Sequence, residues 1–128
     1  MANDYTALGS AIYSLLSGAA TVSIYNQRAP QGGTPPYGIF NRQSAIDERT
    51  FNTAGISSDY VLKAVSNRVW PGEATEVYQV LHNIMQDGAL SVSGFTLLRN
   101  QRGSTFEYQD ADGFWHVGGL YRIEIEES

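Results

Sequence analysis

Pro71-Gly72-Glu73-Ala74-Thr75-Glu76-Val77-Tyr78-Gln79-Val80-Leu81-His82-Asn83-Ile84-Met85-Gln86-Asp87-Gly88 is the stretch that decides the fold. Val77, Val80, Leu81, Ile84 and Met85 stand at offsets 0, 3, 4, 7 and 8, an apolar stripe that only a helix lines up. Glu73 and Glu76 fall in its first turn, where the helix dipole favours negative charge, and Gly88 closes it. The spacing predicts a helix over 73–87, set off from what precedes it by Pro71-Gly72.

Upstream, residues 59–70 read as a strand with apolar residues on both faces, covered by a helix on one side and by a partner chain on the other. Downstream, strands are expected at 95–100 and 104–108. The turn signal Asp110-Ala111-Asp112-Gly113 follows, then a last strand over 115–126. That strand ends in alternation, with Tyr121, Ile123 and Ile125 inward and Arg122, Glu124 and Glu126 outward. Nearer the start, residues 4–17 predict a second amphipathic helix through Tyr5, Leu8, Ile12, Leu15 and Leu16, closed by Gly18. A short strand from Val22 to Tyr25 comes next, then an extended segment over 37–45. The order α-β-β-β-α-β-β predicts an α+β fold, a mainly antiparallel sheet with two helices packed on one face.

Two stretches read as mobile loops: 29–36, which holds three of the four prolines, and 46–58, a long polar stretch that is either a loop or a protruding hairpin. The 128 residues make a single domain over 1–128, large enough to hold a core. No run is apolar enough to span a membrane and no signal peptide opens the chain, so a soluble protein folded where it is made is expected.

Composition excludes several functions. Eight basic residues, Lys63 the only lysine among them, stand against thirteen acidic ones, for a net charge of −5. A protein that grips phosphate needs a basic stripe, so specific nucleic-acid binding is not expected. The absence of cysteine removes thiolate metal sites and thiol nucleophiles. His82 has no second ligand at helical spacing and reads as a surface histidine, and neither it nor His116 has an evident orienting acid. Asp110-x-Asp112-Gly113 lacks the further ligands of a calcium loop. Gln31-Gly32-Gly33-Thr34 lacks a phosphate loop's lysine and following helix. No catalytic residue, metal site or cofactor is expected. Eight tyrosines and seven arginines are instead the currency of interfaces, and the Asp47-Glu48-Arg49 run reads as intermolecular ion-pair partners.

Several motifs in order carry a resemblance over nearly the whole chain: Ile24-Tyr25-Asn26, Ala29-Pro30-Gln31-Gly32, Pro36-Tyr37, Val69-Trp70 before Pro71-Gly72, Asp110-x-Asp112-Gly113-x-x-His116, and Tyr121-Arg122-Ile123. In these the sequence resembles the tail-completion proteins of long-tailed bacteriophages, also called tail terminators or tail-to-head joining proteins. The resemblance implies a virion protein at the head-tail junction, made in the host cytoplasm. Copies of itself would form a ring, typically of six, between the tail tube protein and the head-tail connector, with DNA passing through unbound. On that basis Gln31, Gly32, Gly33, Asp47, Glu48 and Arg49 are expected in contact loops. Glu124 and Glu126, with the Asp47-Glu48 pair, are expected to face the lumen and repel phosphate. Another ring-forming virion component, or a small ligand-binding module, are the alternatives.

Overall fold

The computed structural model describes residues 4–19, 22–29, 33–49, 54–86, 88 and 90–127. Its elements run α1 (Asp4–Ala19), β1 (Ser23–Asn26), β2 (Tyr37–Arg49), β3 (Ala54–Ser66), α2 (Gly72–Met85), β4 (Phe95–Gln109) and β5 (Trp115–Glu127). The strands form one sheet in the order β1-β2-β3-β5-β4, parallel only between β1 and β2. The expected α+β order therefore holds.

Both helices lie on the same face. Leu8, Ile12 and Leu16 of α1 and Tyr78, Leu81 and Met85 of α2 share one core with Phe40, Tyr60, Leu62, Tyr121, Ile123 and Ile125 of the sheet. The alternation read in the last strand is the alternation observed: Tyr121, Ile123 and Ile125 are fully buried. Their cross-strand partners on β3 are Tyr60, Ser58 and Ile56.

The helices differ from expectation in rotation and length. α2 buries Ala74, Tyr78, Leu81 and Met85, while Val80 is 46 % exposed. The face turned because the Tyr78 hydroxyl bonds to that of Tyr121 at 2.7 Å, a link invisible to apolar periodicity. α1 runs through Gly18 to Ala19, and α2 ends at Met85 with Gln86 extended, so neither Gly18 nor Gly88 terminates a helix.

The strands are longer than their apolar content suggests. β2 continues to Arg49 and β3 starts at Ala54, so the described part of 46–58 forms the two arms of a hairpin. Its residues 50–53, like 30–32 of the other expected loop, lie outside the described residues. Backbone pairing to β5, Gly55 to Glu126 and Ser57 to Glu124, carries this hairpin without an apolar pattern. β4 is one strand with bulges at Leu98 and Gly103, where two strands were expected.

β3 stops at Ser66, four residues before the expected Trp70. There the Ser66 hydroxyl accepts the Arg68 N–H at 3.2 Å and donates to Glu73 Oε1 at 2.7 Å, turning the chain into α2. That bond, with help from Arg68, holds the Glu73 carboxyl below its ordinary pKa.

Gly118 sits where two strands approach closely. A Cβ there would stand 2.4 Å from the Leu62 carbonyl oxygen and 2.8 Å from Lys63 Cα, and backbone on both sides cannot yield cheaply. Gly118→Ala is expected to cost about 1–3 kcal/mol in urea denaturation. An unchanged midpoint would mean that β3 and β5 are less closely apposed than described.

Candidate functional site

The helix-free face of the sheet and the chain ends around it are the surfaces left for function. At one end the β4–β5 turn is built on Asp110. Its Oδ1 accepts the N–H groups of Asp112 and Phe114, both at 2.9 Å, and its Oδ2 lies 2.7 Å from His116 Nε2. Gly113 supplies the positive φ of +86° that the turn requires. The spacing Asp110-x-Asp112-Gly113-x-x-His116 thus has a mechanical meaning: one carboxylate caps the turn and reaches the ring six residues on. These bonds, that from His116 first, hold the Asp110 carboxyl below its ordinary range.

His116 therefore does have an orienting acid, which sequence reasoning missed because it looked for a catalytic partner and filed Asp110 as a turn residue. Tyr108 stacks flat on His116, 4.7 Å between centroids, and Lys63 Nζ donates to the Tyr108 hydroxyl at 3.2 Å. The arrangement fastens the turn onto β3, β4 and β5. No group of three metal-ligating side chains gathers among the described residues.

His82 is likewise not a surface histidine. It is half-buried, and its Nδ1 lies 2.8 Å from the Tyr121 hydroxyl. Burial, and secondarily Arg102, lower its pKa, so the neutral ring accepts from Tyr121.

The open face is a mixed-charge surface. Arg122 pairs with Asp59 at 3.2 Å, and Arg99 with Glu124 at 3.4 Å. A groove of about 410 Å³ runs among Gln43, Asp59, Arg99, Gln101, Arg102 and Arg122. Register places Glu126 in one row with Gly55, Glu48 and Thr96, so Glu48 joins the Glu126 row across the sheet. Asp47 is one position out of phase, in the row of Ile56 and the buried Ile125.

Of the expected contact-loop residues, Gly33 is described and half-buried, Gln31 and Gly32 lie outside the described residues, and Asp47, Glu48 and Arg49 stand at the end of β2. At the sheet's opposite end from that hairpin tip, Val69 and Trp70 are 92 % and 68 % exposed in the β3–α2 connection. Among the described residues no helix is long and apolar enough to cross a membrane.

The family described as "Tail completion protein gp17" matches the chain over residues 6–126. None of the curated proteins matches it. Among solved structures, a chain in the virion of a native gene transfer agent (GTA) particle superposes with a TM-score of 0.84, covering 98 % of this chain and 99 % of that one at 15 % identity. At that identity the likeness is one of fold.

Because the Asp110 carboxyl is more acidic folded than unfolded, its contribution is complete above the unfolded value of about 3.9 and is lost as pH falls through the folded one. Asp110→Asn is expected to lose about 1 kcal/mol at pH 7. The gap from wild type should narrow steadily in urea titrations carried below the unfolded value; a gap independent of pH would show that the charge plays no part.

Proposed function

The chain belongs to the tail completion protein gp17 family, a family of phage tail structural proteins, and from that premise we propose that it ends growth of the tail tube and joins the tail to the head connector. The family match over 121 of the 128 residues (6–126) carries this reading.

In the proposed arrangement copies of the chain form a ring, six being the number the resemblance suggests, seated on the last layer of tube protein. A cyclic ring needs two unlike side surfaces on each subunit, because every contact is head-to-tail. The described sheet, short β1 at one edge and long β4 at the other, is asymmetric in the way that requires. The connection over 29–36, with Gln31, Gly32 and Gly33, and the end of β2, with Asp47, Glu48 and Arg49, are assigned to contacts with neighbouring copies, tube or connector.

DNA crosses the ring during ejection. Glu124 and Glu126 share the open face, which we assign to the lumen, where carboxylates repel phosphate and the genome slides. Arg99 offsets Glu124, so Glu126 is the acid expected to matter most there.

Electron microscopy of particles made without this gene is the direct test. Filled heads separate from tails, some tails overlong, are expected; normal virions would reject a completion role. A second test replaces Glu126 with Lys: particles should assemble in normal number and eject DNA more slowly, and unchanged ejection kinetics would remove the lumen assignment.

A further inference from the structure

We infer that neighbouring copies join by strand addition, the free edge of β4 in one copy pairing antiparallel with the free half of β2 in the next. This rests on the ring proposed above and specifies its interface.

β2 has thirteen residues, and β1 pairs only with Tyr37 to Phe40, so among the described residues the stretch Asn41 to Arg49 has a strand neighbour on the β3 side alone. β4 has fifteen residues and pairs only with β5. A row of backbone donors and acceptors on a long edge is a template for another strand, and monomeric proteins blunt it with lysine, proline or a covering segment.

Here the blunting is partial. β4 has its two bulges, and Gln86 Oε1 takes the Arg102 N–H at 3.1 Å. Yet the strand has no lysine or proline and exposes Leu98 by 57 % and Tyr108 by 44 %. The one lysine is on central β3.

Direction and height then select a second copy as the partner. Each step from β2 through β3 and β5 to β4 is antiparallel, so β4 runs opposite to β2. Rotation about a ring axis preserves strand sense, so placing β4 of one subunit beside β2 of the next gives the antiparallel pairing without tilting either. The rows also stand level. Ser44 aligns through Asp59 and Arg122 with Gln101, and Ile46 through Ser57 and Glu124 with Arg99.

The chain's lack of cysteine makes the test clean. Ser44→Cys combined with Gln101→Cys should give, on oxidation of assembled particles, a ladder of linked oligomers on a non-reducing gel, while either single variant gives none. Pairing Ser44→Cys with Thr96→Cys or Ser104→Cys reads the register if the rows are offset. Independently, wild-type amide exchange should slow by ~10-fold or more in both 41–49 and 96–104 on passing from free chain to ring. A ring seen by electron microscopy with no ladder from any pair, and with both segments exchanging at the free rate, overturns strand addition and leaves the completion role standing. Particles with no ring of this chain overturn the ring and the pairing together.

Discussion

Tyr121 holds the second helix to the sheet, and the rest of the architecture follows from that attachment. Its buried hydroxyl stands between Tyr78, at 2.7 Å, and His82 Nδ1, at 2.8 Å, while Arg102 donates to Tyr78 at 3.3 Å. One direction of donation satisfies every member: Arg102 to Tyr78, Tyr78 to Tyr121, Tyr121 to His82. Burial drives the Tyr121 hydroxyl far above its ordinary pKa, so it keeps the proton it donates, and burial likewise holds His82 neutral. Gly119 makes room for the chain of bonds, because a Cβ there would fall 2.5 Å from the Tyr78 hydroxyl.

With α2 fixed in that rotation, and α1 beside it, the apolar surface of five strands is covered from one side. The other face is left to polar side chains, which organise themselves through ion pairs such as Arg122–Asp59 and Arg99–Glu124. One-sided covering has a second consequence: among the described residues no strand pairs with the outer side of β2 beyond Phe40, and β4 pairs with β5 alone. A sheet covered on one face and open at both edges is well suited to a subunit whose neighbours complete it.

How much of this was legible in the sequence depended on whether burial or backbone made the element. Both helices, their order among the strands, and the alternation of Tyr121, Ile123 and Ile125 were readable because the core writes a period into the chain. The arms around Ile46 and Ser57 were not, because ladder bonds to β5 sustain them and leave no apolar signature. The α2 face was misread by one position for the opposite reason. Tyr78 is buried through its hydroxyl, whereas Val80, counted as core, stands at the rim. Val69 and Trp70 carried a strand-like composition, but Ser66 and Glu73 end the strand before them.

The same distinction separates the recognisable motif from the surfaces that do the work. Asp110-x-Asp112-Gly113-x-x-His116 can be picked out by eye because every position in it answers a local demand of the turn: a cap, a positive φ, a ring to reach. It marks the fold. An interface made by pairing strand edges places its demand on backbone direction and height, which many side chains satisfy. Its sequence signature is therefore faint. A solved virion chain that shares 15 % of its residues with this one superposes on it over nearly the whole length, so the same backbone is reached with largely different side chains. For such a fold, strand order and free edges are a sounder guide to assembly than any short run of residues.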